Sequence, residues 1–158
     1  MNFAAVDHVN QLLSQFGEIS GMSGLQLSEE GTFAFDHEEG LSIALELSTG
    51  GETLHWYSSL CEIPASDREA FFAQLLELNL LGIETRNTIL GIDQLQNAVV
   101  VSYSVEAANL DSHGFNNVME NFLVTAIDLQ GRLKSSRHDE NPNDSELPDP
   151  LAVLQFRA

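Results

Sequence analysis

The sequence predicts an α+β fold in which three helices pack on an antiparallel twisted sheet of about five strands, in the order α-β-β-β-β-α-β-β-α. Apolar residues recur at three- and four-residue spacing in three segments, which is typical of helices. Between the first two of these segments, apolar and polar residues alternate, which is typical of half-buried strands. The turns between the alternating runs are short, and short turns favour antiparallel neighbours.

The first helix is predicted over residues 3–16, and Gly17 can end it. Four strands are expected between residues 25 and 61, separated by turns that contain glycine. The apolar side chains of these segments are expected to face one core. In the helix they are Val6, Val9, Leu12, Leu13 and Phe16, and in the first three strands they are Leu25, Leu27, Phe33, Phe35, Leu41, Ile43, Leu45 and Leu47.

The middle helix is predicted over residues 66–81 and is expected to be covered on two sides. Ser66 and Glu69 have the spacing of a capping box at its start, and Gly82 can end it in a left-handed conformation. Its apolar residues spread around most of the helix instead of forming one stripe. They are Phe71, Phe72, Leu75, Leu76, Leu78, Leu80 and Leu81. The chain's own sheet can cover one side, so a second body is expected to cover the other.

A short strand over residues 89–93 and a stronger strand over 97–105 are predicted next. Asp111 or Ser112 can cap the last helix. That helix has a clean apolar stripe, which consists of Phe115, Val118, Met119, Phe122, Leu123, Ala126 and Ile127. The helices therefore flank an antiparallel sheet, as in other α+β domains.

Two regions of different composition are predicted. Residues 1–133 are expected to form one domain with a single core, because their apolar residues follow helical and strand periods throughout. Residues 134–158 are expected to be a disordered acidic tail, because Ser, Asp, Glu, Asn and Pro dominate most of it. The tail contains one short apolar segment at residues 151–156, which is expected to dock on the body.

The 158-residue chain is strongly acidic, with a formal net charge of −18. Only Arg68 and Arg86 are basic among the first 130 residues, against 19 acidic residues. Such a surface repels nucleic acid and anionic lipid and attracts basic partners. No apolar run is long enough to span a membrane and no signal peptide is visible, so a cytoplasmic location is expected. Cys61 is the single cysteine, which excludes an internal disulfide framework.

The residues offer no case for catalysis, so the chain is expected not to be an enzyme and to need no metal or cofactor. Its five histidines lack the short fixed spacing of metal ligands. Asp36, His37 and Glu38 form the densest titratable cluster and leave a small hydrolase as one alternative, although a solvated turn explains them as well. Another alternative is an acidic inhibitor that mimics DNA and binds a basic protein partner through its carboxylates.

A resemblance to a known family rests on the middle helix and the strand after it. Residues 75–82, Leu-Leu-Glu-Leu-Asn-Leu-Leu-Gly, followed by Leu-Gly-Ile-Asp at residues 90–93, resemble the signature of the class I type III secretion chaperones, the Tir-chaperone or CesT-like family. By order of elements the resemblance covers residues 1–133. The link at residues 85–88, Thr-Arg-Asn-Thr, departs from the family pattern because it is bulkier and more polar.

The resemblance implies a small, acidic, cytoplasmic bacterial homodimer that binds an effector. Such a chaperone holds the extended N-terminal chaperone-binding segment of a type III secreted effector and keeps it soluble and competent for export, without ATP or metal. The implied partners are the effector and a second copy of the chain, with the ATPase of the secretion apparatus as a further candidate.

The resemblance also assigns two groups of site residues. The first helix and the early strands would bind the effector, and the middle helix with the strand at residues 97–105 would form the dimer. The effector-binding residues are Leu12, Leu13, Phe16, Leu25, Leu27, Phe33, Phe35, Leu41, Ile43 and Leu45. The dimer residues are Phe72, Leu75, Leu76, Leu80, Val99, Val101 and Tyr103.

Overall fold

The structure is a computed structural model, and it describes residues 2–37 and 40–138. Three α-helices and five strands alternate with short connections and two 3-10 turns, Leu80–Gly82 and Ala107–Asn109. The helices are α1 (Phe3–Ser20), α2 (Arg68–Leu78) and α3 (Ser112–His138). The strands are β1 (Thr32–Asp36), β2 (Ser42–Leu47), β3 (Thr53–Glu62), β4 (Ile89–Asp93) and β5 (Ala98–Glu106).

The predicted fold class is confirmed. All neighbouring strands are antiparallel and form one five-stranded sheet in the order β1-β2-β3-β5-β4, with β1 and β4 at its edges. One detail differs, because three strands precede α2 and not four. The backbone N–H of Leu27 donates to Oδ1 of Asn10 on α1, at 2.8 Å. The segment that contains Leu25 and Leu27 therefore bonds to a helix side chain and lies in the connection between α1 and β1.

Helix α1 is longer than predicted. It continues past Gly17 to Ser20 and ends where Gly21 takes the left-handed conformation, with φ 71°. Gly17 lies inside the helix, where a Cβ atom would be 2.5 Å from the carbonyl oxygen of Met22. Glycine at position 17 therefore lets the following connection pack closely against α1, and the prediction that it ends the helix is wrong.

Helix α2 starts without the predicted capping box. Its first residue is Arg68, and the preceding residue, Asp67, has φ 52° and no side-chain hydrogen bond to the helix. At the other end, Gly82 takes the predicted left-handed conformation with φ 66°, but α2 already ends at Leu78, three residues before the predicted end. Leu81 just before it is also left-handed, with φ 58°. The chain therefore turns sharply away from the helical path after Leu78.

Helix α3 begins at the predicted cap, where the backbone N–H of Gly114 donates to Oδ1 of Asp111 at 2.7 Å. It runs to His138, so the helix extends beyond residue 133, where the predicted domain ends. Leu129 and Leu133 are buried on its inner face and hold this end against the body. The prediction of disorder for residues 134–138 is therefore wrong. The rest of the predicted tail, including residues 151–156, lies outside the described residues.

The core lies between one face of the sheet and the helices. Trp56 of β3 and Phe115 of α3 are fully buried, with ring centroids 5.8 Å apart. Phe16 of α1 meets Phe115 edge to face at 6.1 Å. Side chains that alternate to the opposite face of the sheet, such as Ser59 and Ser104, are exposed. The helices thus cover one face of the sheet and leave the other open.

Candidate functional site: two apolar surfaces

The predicted effector-binding residues divide into two groups in the structure. Four of them are half-buried and keep accessible surface, and these are Phe16, Leu25, Phe33 and Phe35. The other six are buried in the core of the chain, and these are Leu12, Leu13, Leu27, Leu41, Ile43 and Leu45. Hydrophobic periodicity identifies the inward face of an element, but it does not identify which inward residues lie at the rim of the core.

The half-buried residues of β1 form the first apolar surface. Phe33 and Phe35 lie opposite Leu45 and Ile43 of β2, on the same face of the sheet. Their rings are 6.0 Å apart and pack against the core from its rim. Because β1 is an edge strand, these rings stand beside a row of backbone groups that pairs with no further strand among the described residues. We refer to Phe33, Phe35 and this free edge as the β1 edge.

A groove lies between α1 and the connection that follows it. Its volume is about 520 Å³, and its lining includes Asn10, Ser14 and Glu18 of α1 together with Leu25 and Gln26 of the connection. The lining mixes polar side chains with glycines and with two large apolar residues, Met22 and Leu25. The groove therefore offers an extended segment both hydrogen-bond partners and apolar contacts.

The second apolar surface is at the end of α2 and in the turn that follows. Leu76, Leu80, Leu81 and Ile83 are 71%, 67%, 80% and 71% exposed. We refer to these four residues as the α2 apolar surface. They fall within eight consecutive residues, and a contiguous exposed group of large aliphatic side chains marks an interaction site.

The predicted dimer residues are placed at different depths. Leu76 and Leu80 are among the most exposed aliphatic residues of the chain, and Phe72 and Tyr103 are half-buried. Leu75, Val99 and Val101 are buried in the core, so their side chains face the chain's own interior. Sequence reasoning did not assign Leu81 and Ile83 to this site. The turn at Leu81, with its positive φ, brings them to the surface, and no helical period predicts that turn.

The two edges of the sheet differ. On β4, the side chain of Asn79 donates from Nδ2 to the carbonyl oxygen of Leu90 at 2.9 Å and accepts from the backbone N–H of Leu90 at 2.8 Å. These two groups point away from β5, so Asn79 occupies the place where a further strand would pair. On β1, Ser28 bonds to both backbone groups of Thr32: its hydroxyl accepts from the N–H at 3.3 Å, and its own N–H donates to the carbonyl oxygen at 2.7 Å. Among the hydrogen bonds described, no side chain takes the backbone groups of Ala34 or Asp36. Strand addition is therefore open at the part of β1 that contains Ala34 and Asp36 and blocked at the middle of β4.

Within residues 2–37 and 40–138, no group of three His, Cys, Asp or Glu side chains could hold a metal ion. Hydrogen bonds from the Ser28 hydroxyl and from its own backbone lower the pKa of Glu30, and burial raises the pKa of Tyr57. Asp36 and His37 lie at the end of β1, while Glu38 lies outside the described residues. No helix in the described part of the chain is long and apolar enough to cross a membrane.

Comparison with known proteins gives one family and a set of similar structures. The family model of the Tir chaperone protein (CesT) family matches residues 11–130. No curated protein sequence matches the chain.

Three solved complexes contain chains of similar fold. A chain of the ExsC-ExsE complex is 25% identical with a TM-score of 0.71, and the match covers 81% of this chain and 95% of that one. A chain of the HopA1-SchA chaperone-effector complex is 15% identical with a TM-score of 0.66, covering 85% and 98%. A chain of the heterodimeric ExoU-SpcU complex, from the type III secretion system of Pseudomonas aeruginosa, is 17% identical with a TM-score of 0.58, covering 79% and 93%.

Proposed function

Because the chain belongs to the Tir chaperone protein (CesT) family, we propose that it is a homodimeric type III secretion chaperone. It binds the extended N-terminal chaperone-binding segment of an effector in the bacterial cytoplasm and keeps that effector soluble and competent for export. It works by binding alone, without catalysis, metal or cofactor. Two similar structures, a chaperone-effector complex and a complex from a type III secretion system, support this proposal.

The observation that carries the proposal is that one chain exposes two separate apolar surfaces of different kinds. The β1 edge combines two aromatic rings with an unpaired strand edge, and it suits an extended segment. The α2 apolar surface consists of aliphatic side chains on a helix end and a turn, and Asn79 occupies the middle of the β4 edge beside it. Two surfaces of different geometry favour two different occupants.

The effector segment is assigned to the β1 edge. A strand added there gains backbone hydrogen bonds, and alternate side chains of that strand reach Phe33 and Phe35. The buried residues of the predicted effector set, such as Ile43 and Leu45, contribute by fixing the positions of these two rings. Phe16 and Leu25 extend the accessible apolar area toward α1.

A second copy of the chain is assigned to the α2 apolar surface. A two-fold symmetric contact places the same patch on both sides of the interface, which suits a compact group of aliphatic residues. Leu76 and Leu80 would contact the second copy directly. Leu75, Val99 and Val101 would support the interface from beneath, because they are buried within their own chain.

The affinity for the effector comes from apolar burial and backbone pairing, less the cost of ordering the segment. The acidic body would speed the encounter with a basic segment through long-range attraction. Transfer of the loaded effector to the ATPase of the secretion apparatus is the step that we expect to follow.

Co-expression tests the proposal. The chain is expressed with the secreted protein encoded beside its gene, once with the whole effector and once with an effector that lacks its N-terminal segment. We expect the whole effector to co-elute with the chain in size-exclusion chromatography and the shortened effector to elute alone. Equal co-elution of both forms would contradict the assignment to the N-terminal segment, and a chain that captures neither would contradict the function.

A further inference from the structure

The chain leaves α3 close to the α2 apolar surface. In the last part of α3, Nη1 of Arg132 forms an ion pair with Oε2 of Glu84 at 2.9 Å. Glu84 directly follows Ile83, which belongs to the α2 apolar surface. From Arg132 to the end of the helix at His138 the axial rise is only about 9 Å. The point where residue 139 begins is therefore near Ile83.

The sequence after α3 contains a second apolar element that the proposed function does not use. Residues 139–150 include five acidic residues and three prolines and have few groups that could form a core. Residues 151–156, Leu-Ala-Val-Leu-Gln-Phe, have five apolar members out of six. Three of the chain's six basic residues precede the acidic stretch at positions 132, 134 and 137, so opposite charges favour a linker that stays near the end of α3.

The length of the linker allows this segment to reach the α2 apolar surface. A 12-residue linker spans about 40 Å at full extension and roughly 20 Å as a flexible coil. The ion pair between Arg132 and Glu84 places the last part of α3 beside the α2 apolar surface. The contact between Phe16 of α1 and Phe115 lies at the other end of α3, which has 27 residues and is therefore about 40 Å long. The α2 apolar surface is thus within easy reach of residues 151–156, whereas the accessible ring of Phe16 lies near the far end of the helix.

We propose that residues 151–156 bind to the α2 apolar surface of their own chain and compete there with the second copy. The segment would cover Leu80, Leu81 and Ile83 in the monomer and would have to be displaced when the dimer forms. A tethered segment acts at an effective concentration on the order of 1 mM, so even weak contacts give substantial occupancy. The tail would then set the concentration at which the chain dimerises.

The inference uses the dimer surface of the proposed function but does not depend on effector binding. The test compares the full chain with a Leu154→Asp/Phe156→Asp double variant. Gln155→Asp is the matched control, because it adds a charge to the same segment without removing an apolar contact. The first measurement is the dimerisation constant from sedimentation velocity. We expect the double variant to dimerise at least about fourfold more tightly, since each of two protomers loses a competing segment that is bound half of the time or more.

A second measurement uses dilute samples that are monomeric, so that it does not require the dimer. Methyl NMR resonances of Leu80, Leu81 and Ile83 are expected to shift between the full chain and the double variant, and to stay unchanged in the control. Weaker dimerisation of the double variant would overturn the proposal, because the segment would then belong to the interface between copies. Unchanged methyl resonances in the monomer would also overturn it, whether or not a dimer forms.

Discussion

The side chain of Asn79 is bonded twice to the backbone of Leu90, as donor to its carbonyl oxygen and as acceptor from its N–H. This pair joins the end of α2 to the outer edge of β4 and takes the hydrogen-bonding groups that a further strand would need. One edge of the sheet is therefore blocked at Leu90, and the other is blocked at Thr32 by Ser28 and open at Ala34 and Asp36 among the hydrogen bonds described. The edge blocked at Leu90 is near the α2 apolar surface, and the edge open at Ala34 and Asp36 is the proposed effector site.

Asn79→Ala should destabilise the chain and unblock β4. Loss of the amide leaves the N–H and the carbonyl oxygen of Leu90 without their partner, which costs about 1–3 kcal/mol. Urea unfolding followed by circular dichroism measures the change in the free energy of unfolding. Asn109→Ala is the matched control, because Asn109 is exposed and bonds only to Glu106 among the hydrogen bonds described. Equal stability of the two variants would contradict the role given to Asn79.

Leu76→Asp should convert the proposed dimer to a folded monomer. The side chain is exposed in the single chain, so the monomer tolerates the charge, whereas the interface would bury it without a partner. Light scattering after size-exclusion chromatography gives the mass. Leu95→Asp makes the same change at a leucine that is 98% exposed and far along the chain from α2, and it should remain dimeric. A Leu76→Asp variant that still dimerises would place the interface elsewhere.

Phe33→Ala should weaken effector binding and leave the dimer intact. Loss of an aromatic contact at the centre of an interface costs about 1–3 kcal/mol, or roughly ten- to a hundredfold in affinity. Calorimetric titration with the effector's N-terminal segment measures this loss. Phe3→Ala removes a phenylalanine that is 81% exposed at the start of α1 and should bind as tightly as the unchanged chain. An equal loss in both variants would argue against the β1 edge.

The free energy of unfolding should fall at high pH because the Tyr57 hydroxyl loses its proton. Burial raises the pKa of Tyr57, and the negative charge of Glu46 raises it further. The unfolded chain then loses this proton at a lower pH than the folded chain, starting near the ordinary tyrosine value of about 10. The contribution of protonated Tyr57 to stability is therefore complete below that value, and it is lost as the pH rises through the pKa of Tyr57 in the folded chain.

The variant that tests this pH dependence is Tyr57→Phe. Urea unfolding at a series of pH values from neutral to strongly alkaline should show a shallower fall in the free energy of unfolding for Tyr57→Phe than for the unchanged chain. Glu46→Gln should reduce the slope in part, because it removes the second cause of the raised pKa. Identical slopes in all three proteins would exclude this role of Tyr57.

The sequence predicted the parts of the fold that depend on local periods. The alternation of apolar and polar residues predicted that Ile43 and Leu45 share one strand face. Asp111 was predicted as a cap because aspartate commonly caps helices and it precedes the apolar stripe of α3. Tertiary contacts decided the rest. The bond from Leu27 to Asn10 and the close approach of Met22 to Gly17 determine the path between α1 and β1, and neither leaves a periodic signal.

The sequence indicated which regions carry candidate interaction residues, but not which of those residues are accessible. The middle helix was expected to have a second covered side, and Leu76 and Leu80 are indeed exposed in the single chain. The burial of each apolar side chain could not be predicted, because buried residues such as Leu75 and Val99 have the same apolar character as residues at the surface. Leu81 and Ile83 depend on a left-handed turn that a leucine rarely adopts.

Light scattering on the purified complex with the effector's N-terminal segment tests the central claim most directly. That claim is that one chain has two apolar surfaces with two different occupants. The account predicts two copies of the 17.3 kDa chain in each complex with bound effector, and it predicts that Leu76→Asp halves the copy number while effector binding persists. One copy of the unchanged chain per complex, or loss of the effector on Leu76→Asp alone, would contradict it.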